Sequence, residues 1–235
     1  MTQRRPIRRA AIIGGGLGLA VLATGIAVAV IAPSDNQSSS TGLGTTETLV
    51  AETTPAVVLP AETPDDLTLS LDGLDANTAA QLEYVLANWD NSYTGPFGYI
   101  EEFNCMNFTS QTLLARGWEQ TEDWWNDQTG DPLDASTSWY SSTAFMDWLS
   151  EHPELATPLT DDERDELAVG DIVQFDWDNS GDRDHTGIVT RIDHNADGTI
   201  SVYYAGHTDY TLMRSVDWAV TVLHPGGTAH YWHLS

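Results

Sequence analysis

The chain has 235 residues, which is enough for one domain of ordinary size plus further segments. Its 35 acidic residues far outnumber its nine basic residues, all of them arginine, and the formal net charge is −26. Because phosphate binding requires a basic surface, this composition excludes nucleic acid as a partner, and we interpret the acidity as a means of solubility.

The N-terminal segment is predicted to anchor the chain in a membrane. Residues 1–9 are basic, and residues 10–32 carry no charge. As a helix, the uncharged segment would be about 35 Å long, which is sufficient to cross a bilayer. The positive-inside rule places the arginines in the cytoplasm and everything after Pro33 outside. We therefore expect a single-pass protein of the cell membrane with an extracytoplasmic domain.

Cleavage of this segment is the alternative. Ala27-Val28-Ala29 resembles a signal peptidase site, whose use would release a secreted protein. The apolar stretch is longer than the core of about 7–15 residues in a signal peptide, which favours a retained anchor. Residues 33–68 are rich in Ser, Thr, Pro and acidic residues and are predicted to be a disordered linker, whereas residues 69–235 are predicted to fold.

Three helices are predicted in the first half of the folded domain. The first follows the capping residue Asp75 and has an apolar face that consists of Leu82, Val85, Leu86 and Trp89. The second begins with Asn104 as its N-cap and ends at Gly117. The third is capped by Ser141 or Ser142 and ends before Pro153. Residues 118–139 are predicted to be a loop. Core packing is the ordinary role of tryptophans, and some of those in this loop are expected to form walls of a groove for a peptide or a sugar instead.

Strands are predicted in the second half, at residues 171–176, 187–192, 200–205, 210–214 and 229–234. Because short turns connect them, we expect an antiparallel sheet. Since helices precede the strands in the chain, the predicted fold class is α+β, with the helix that carries Cys105 packed on one face of a small sheet.

Cys105 is the only cysteine, so the chain has no internal disulfide. Its predicted place in the first turn of a helix favours the thiolate, because unpaired N–H groups and the helix dipole are positive there. The same N–H groups can hold an oxyanion, and Asn104 and Asn107 are expected to support the helix start and this oxyanion. A lone cysteine is often only a small buried hydrophobic residue. The presence of His185 at the start of a predicted strand favours a nucleophile, because a cysteine and its base are often distant in sequence.

Three segments are similar to the putative amidase domain of exported bacterial proteins: Asn-Cys-Met-Asn-Phe-Thr-Ser-Gln at 104–111, Gly-Asp-Ile-Val-Gln-Phe-Asp at 170–176 and Asp-His-Thr-Gly-Ile-Val at 184–189. That family is related in fold to the NlpC/P60 and CHAP cell-wall hydrolases. The resemblance therefore implies a papain-like core, Cys105 as nucleophile, His185 as base, and peptidoglycan as the partner. The family usually has an acidic residue before the cysteine and a threonine after it, where this chain has Asn104 and Met106.

His207 is predicted to complete a triad with Cys105 and His185. It follows the next predicted strand, where it would lie beside His185 and fix the tautomer of that imidazole. Asp209 is the alternative third member. The remaining histidines are expected to be structural: His152, His194, His224, His230 and His233.

Metal binding is the competing interpretation of these side chains. A zinc site of His185, His207 and Asp209 is conceivable, but no zinc-binding spacing supports it. Residues 176–181 and 193–198 resemble the start of a calcium-binding loop, yet neither loop has a glutamate at its twelfth position. Since both segments lie between predicted strands, we interpret their Asp, Asn and Gly residues as turn-forming. We predict neither a metal nor a cofactor.

Together these patterns predict an exported cysteine amidohydrolase that cleaves an amide bond in peptidoglycan. Cys105 would attack the carbonyl carbon, and His185 would transfer the proton to the leaving amine. The alternative is a non-catalytic wall-binding or scaffold module on the same fold.

Overall fold

A computed structural model describes residues 59–91 and 95–235. The predicted cytoplasmic residues 1–9, the predicted membrane segment 10–32 and the predicted linker up to residue 58 lie outside the described residues. Within the two described ranges, no helix has the length and the apolar character needed to cross a membrane.

The helices are α1 (Ala76–Asn88), α2 (Asn104–Arg116), α3 (Thr137–Tyr140), α4 (Ser142–Ser150) and the short α5 (Val216–Trp218), which continues into a π-helical turn, Ala219–Leu223. The carboxylate of Asp75 caps α1, and the hydroxyl of Ser141 caps α4, as predicted. Gly117 ends α2 with a φ of 103°, a left-handed conformation that suits glycine. Local capping chemistry therefore explains three of the helix boundaries.

The described strands form a six-stranded antiparallel sheet in the order β1-β6-β2-β3-β4-β5. Their bounds are β1 (Ala156–Thr160), β2 (Ile172–Asp176), β3 (His185–His194), β4 (Ile200–Gly206), β5 (Thr211–Ser215) and β6 (Thr228–Leu234). Each predicted strand overlaps one of β2 to β6, and the α+β class is confirmed. The sequence pattern did not predict β1, which contains Pro158. β1 lies at the sheet edge, where proline is tolerated.

The two faces of the sheet pack against different layers. We call the face that packs against α2 and α4 the helical face, and its buried core includes Met106, Trp139, Phe145, Ile172 and Trp232. The opposite face has a separate core that includes Val173, Phe175, Val189, Tyr204 and Tyr231. Because side chains alternate along a strand, consecutive residues of β3 belong to different faces.

The tryptophans at residues 118–139 contribute to the core. Trp124 and Trp139 are fully buried, and Trp124 stacks on Trp148 of α4 with ring centroids 5.7 Å apart. The indole of Trp124 donates to the hydroxyl of Ser110 at 3.2 Å, and that of Trp139 donates to the amide oxygen of Asn107 at 2.8 Å. Trp124 and Trp139 therefore have the core-packing role and attach this segment to α2, and a groove formed by its other tryptophans stays a prediction.

The last part of the predicted linker lies along β5. Residues 59–68 contain neither helix nor strand. The carbonyl oxygen of Glu62 accepts the N–H of Ser215 at 2.7 Å, and its carboxylate lies 3.1 Å from the guanidinium of Arg214. These contacts cover part of the edge that β5 would otherwise expose.

Asp171 joins the start of β2 to the C-terminal strand. Its buried carboxylate accepts the N–H groups of Ala168 at 2.7 Å and Leu234 at 2.9 Å. The Nδ1 atom of His233 lies 2.9 Å from the same carboxylate. The preceding Gly170 has a φ of 97°, and a Cβ there would come within 2.9 Å of the Thr78 side chain. The Gly-Asp motif therefore has a structural role at this junction.

Replacing Asp171 with alanine is expected to lower the free energy of unfolding by about 2–4 kcal/mol, because the buried N–H of Leu234 and the partly buried N–H of Ala168 lose a charged acceptor. Urea unfolding followed by tryptophan fluorescence measures this change. Asp127 has an exposed side chain and provides the matched control, since Asp127→Ala should change stability by less than about 0.5 kcal/mol. Equal losses in the two variants would contradict the anchoring role of Asp171.

Candidate active site

Cys105 is the second residue of α2 and lies in its first turn, as predicted. Its side chain is only 3% exposed. The hydroxyl of Ser142 lies 3.8 Å from the sulfur. The backbone N–H groups of Thr186 and Met106 and the side chain of Thr208 also interact with it. The sulfur therefore faces uncharged hydrogen-bonding groups from α2, α4, β3 and the segment after β4.

A buried polar network lies next to this sulfur, and we call it the Gln174 network: Gln174, Thr186, Ser142 and Trp232. The Nε2 group of Gln174 donates to the carbonyl oxygen of Ser142 at 2.8 Å and to the hydroxyl of Thr186 at 3.2 Å. The hydroxyl of Thr186 donates to that of Ser142 at 2.8 Å. The indole of Trp232 donates to Oε1 of Gln174 at 2.9 Å. The network thus fixes β2, β3, β6 and α4 around Cys105.

Burial is the strongest influence on the Cys105 thiol and raises its pKa. Hydrogen bonds to the sulfur act in the opposite direction and lower the pKa, but they offset only part of the effect of burial. They come from Thr186, Ser142, Met106 and Thr208. The helix start alone led to the opposite expectation, a depressed pKa. The difference arises because the sequence shows the position of Cys105 in a helix but not how completely other elements enclose its sulfur.

His185 is the first residue of β3, and its imidazole lies on the opposite face of the sheet. The ring centroid is 5.9 Å from that of Phe175 and 6.0 Å from that of Tyr204, both of which belong to the core of that face. The next residue, Thr186, contacts Cys105 on the helical face. His185 and Thr186 are consecutive, but alternation along the strand places their side chains on opposite faces. The imidazole of His185 is therefore separated from the Cys105 sulfur by the sheet.

The imidazole of His185 lines a cavity of about 290 Å³. The other lining residues are Trp177, Asp184, Tyr204, Thr208, Asp209, Arg214, Leu223 and His224. Burial, followed by the positive charge of Arg214, lowers the pKa of His185 from 6.5 to about 4, whereas Asp209 acts in the opposite direction. The ring is consequently neutral at pH 7, which is the form that accepts a proton.

His207 lies on the helical face, next to the start of α2. Its Nδ1 accepts from the side-chain amide of Asn104 at 2.7 Å, and its Nε2 donates to the carbonyl oxygen of Asn88 at 2.9 Å. The ring stacks on Phe108 with centroids 3.9 Å apart. The expected contact with His185 is therefore not formed among the residues that the structure describes, because both ring nitrogens of His207 bond other partners.

Asp209, the alternative third member, lies in the cavity of His185 instead. Its carboxylate is 2.8 Å from the guanidinium of Arg214, which lines the same cavity. The cavity of the predicted base is therefore lined by Asp209 and not by His207.

The prediction that Asn104 is the N-cap of α2 is wrong. The N-cap is Phe103, and it makes no side-chain capping bond within the described residues. The amide of Asn104 bonds His207, and its Oδ1 accepts from Asn107 at 3.1 Å. Asn107 in turn accepts the indole N–H of Trp139. Both amides are therefore engaged in packing at the helix start, and their support of an oxyanion stays a prediction.

Thr208 borders both the Cys105 sulfur and the His185 cavity. Its φ of 77° is left-handed, a conformation that is rare for a β-branched residue. Residues held in this way store roughly 1–3 kcal/mol and cluster at functional sites. No sequence signal distinguished Thr208, whereas Gln174 had one, because it is a polar residue in an otherwise apolar strand.

Four aspartates come together at the end of β2 and in the loop that leads to β3: Asp176, Asp178, Asp182 and Asp184. One carboxylate oxygen of each lies within 4.8 Å of the others, a set of ligands that can hold a calcium ion. The carboxylate of Asp176 also accepts the N–H groups of Ser180 and Gly181, as in an ordinary turn. The zinc alternative would require His185 and His207 to converge, and they lie on opposite faces of the sheet.

The family described as "Putative amidase domain" matches residues 75–230. This range contains Cys105, the Gln174 network except Trp232, and both histidines of the predicted triad. No curated protein and no solved structure matches the chain.

Acid is expected to destabilise the fold through His185. Because its folded pKa of about 4 lies below the ordinary 6.5, the fold keeps this stability in full above pH 6.5 and loses it progressively as the pH falls from 6.5 through 4, where the unfolded state binds the proton more readily. The loss between pH 7 and pH 4.5 should be about 2 kcal/mol. Urea unfolding at the two pH values should show a smaller difference for His185→Gln.

The exposed His194 provides the control, because His194→Gln should keep the pH dependence of the unsubstituted protein. If His185→Gln keeps it as well, the buried neutral imidazole is not the source of the acid sensitivity.

Proposed function

Because the chain belongs to the putative amidase domain family and is therefore an amidase-like hydrolase, we propose that it is an exported cysteine amidohydrolase that cleaves an amide bond in peptidoglycan. We further propose that its α+β fold contains a papain-like core, as in the NlpC/P60 and CHAP hydrolases that its motifs resemble.

The environment of the Cys105 sulfur carries this proposal. The thiol lies in the first turn of α2, where the helix dipole favours an anion, and uncharged donors from three other elements surround it. A buried cysteine with a purely structural role needs only apolar neighbours. The convergence of donors is better explained by a sulfur that carries negative charge during a reaction.

The proposed reaction proceeds through a thioester. The Cys105 sulfur attacks the amide carbonyl carbon, and its proton passes to the neutral imidazole of His185. The imidazolium then protonates the leaving amine as the carbon–nitrogen bond breaks. Water attacks the thioester with His185 as base, releases the carboxylic acid and restores the thiol.

This mechanism requires the His185 imidazole to reach the sulfur. The ring lies on the opposite face of β3, in the cavity that Thr208 also lines. Because His185 is the first residue of its strand, a rotation of the side chain around the strand end is the movement that we propose. Thr208 lies beside both the cavity and the sulfur, so it would have to move aside when the imidazole passes from one to the other.

Asp209 is supported as the third member of the site. It shares the cavity with His185, and its negative charge favours the protonated imidazole that forms during catalysis. We propose that His207 instead holds Asn104 and the first turn of α2 in place.

The proposed location rests on residues 10–32 as a membrane anchor. Residues 59–68 contact β5 through Glu62, so a flexible linker would comprise residues 33–58 and would have an r.m.s. span of roughly 25–31 Å. Such a linker would place the domain within the wall layer outside the membrane, where peptidoglycan is the abundant amide-bonded polymer.

Cys105→Ala is expected to abolish the cleavage of defined peptidoglycan fragments, because no neighbouring side chain replaces the nucleophile. His185→Ala should lower kcat by about 10²–10⁴-fold, since the amine would leave unprotonated. Mass spectrometry of the products measures cleavage and identifies the bond. The control is Ser110→Ala, which removes a buried hydroxyl of α2 that bonds Trp139.

Full activity of Cys105→Ala would exclude the cysteine mechanism. If the unsubstituted protein sediments with insoluble wall material but releases no product, the chain is a non-catalytic wall-binding module.

A further inference from the structure

We propose that Ser142 is a positioning residue that donates a hydrogen bond to the Cys105 thiolate, at the end of a directed chain of hydrogen bonds that begins at Trp232. This inference rests on the proposed function of Cys105 as the nucleophile. It assigns a role in the reaction to the Gln174 network.

The direction of the chain follows from groups that have only one hydrogen-bonding role. The indole N–H of Trp232 can only donate, so the atom of Gln174 that it contacts at 2.9 Å must be the amide oxygen. The carbonyl oxygen of Ser142 can only accept, so the atom of Gln174 that lies 2.8 Å away must be the amide nitrogen. Two independent contacts therefore fix the orientation of the Gln174 amide.

The two hydroxyl groups continue the chain from the fixed amide. The hydroxyl of Thr186 accepts from Gln174 at 3.2 Å and donates its proton to Ser142, 2.8 Å away. The hydroxyl of Ser142 accepts this bond and retains its own proton. The Cys105 sulfur, 3.8 Å from that hydroxyl oxygen, is in place to accept it.

Burial makes this arrangement effective. Gln174 and Thr186 are fully buried, and Ser142 is 5% exposed. A hydrogen bond that is shielded from water is electrostatically stronger, and consecutive bonds in one direction polarise one another. Because a charged acceptor binds a donor more tightly than a neutral one, the chain favours the thiolate over the thiol. It thereby counteracts the burial of the sulfur.

The groups that contact the sulfur are uncharged, so hydrogen bonds dominate its local stabilisation. The titratable side chains that adjoin these contact residues are His185 before Thr186, and His207 and Asp209 on either side of Thr208. His207 is held by Asn104 and Asn88, and Asp209 pairs with Arg214.

The test is the pH dependence of Cys105 alkylation by iodoacetamide in the full chain. Since the chain has a single cysteine, the label reports on Cys105 alone. Ser142→Ala should shift the midpoint of the rate profile upward by about one to two pH units, as expected for loss of a hydrogen bond to a charged group. Ser142→Thr keeps a hydroxyl at this position and should titrate like the unsubstituted protein.

Two further variants separate the hydrogen-bond chain from general damage to the core. Thr186→Val removes the donor that orients Ser142 and should give a smaller upward shift than Ser142→Ala. Ser110→Ala removes another buried hydroxyl, which bonds Trp139 and Trp124, and should leave the midpoint unchanged. Near-ultraviolet circular dichroism confirms that each variant has the native fold.

An unchanged midpoint in folded Ser142→Ala, or an equal shift in Ser110→Ala, would overturn the inference. Turnover of peptidoglycan fragments is measured in parallel to separate this result from the proposed function. A shift in Ser142→Ala without turnover in the unsubstituted protein would support the hydrogen-bond chain and count against the hydrolase. Turnover with an unchanged midpoint would count against the chain alone.

Discussion

The buried amide of Gln174 constrains the arrangement of the elements around Cys105. It bonds Ser142 at the start of α4, Thr186 on β3 and Trp232 on β6, all away from solvent. Each group left without a partner there would cost about 1–3 kcal/mol. The helix and the strands therefore satisfy these groups in one relative position. That position places Ser142 and Thr186 against the sulfur, so core packing and the chemistry of the thiol depend on the same contacts.

The same sheet separates the two halves of the candidate site. Thr186 and His185 are consecutive in β3, and alternation directs one to the helical face and the other to the opposite face. The sulfur thus has its donors on one side, while the neutral imidazole occupies a cavity with Asp209 and Arg214 on the other. Thr208, in a strained left-handed conformation, borders both. The proposed reaction joins these halves by a movement of His185 at the strand end.

Local signals in the sequence predict much of the fold and part of the site. Helix caps, the glycine that ends a helix and the alternation of side chains along a strand each depend only on residues that are neighbours in the chain. The structure contains the caps at Asp75 and Ser141, the helix end at Gly117 and the five predicted strands. β1 was missed because Pro158 suggests a loop unless the edge position is known. The neighbours of His207 depend on strand register, where a shift of one residue changes the face. The enclosure of Cys105 depends on α4 and β3, which are distant in sequence and cannot be inferred from its helix alone.

If Cys105 is the nucleophile of an amidase, the mass of the protein changes during a single turnover. Peptidoglycan fragments are mixed with excess protein, the reaction is stopped with acid, and the protein is digested and mapped by mass spectrometry. We expect a transient acyl adduct on the peptide that contains Cys105. It should form together with the first amine product and accumulate when its hydrolysis is slower than its formation. The assignment fails if the amine is released while Cys105 stays unmodified throughout the reaction, and if Cys105→Ala releases the amine at the same rate as the unsubstituted chain.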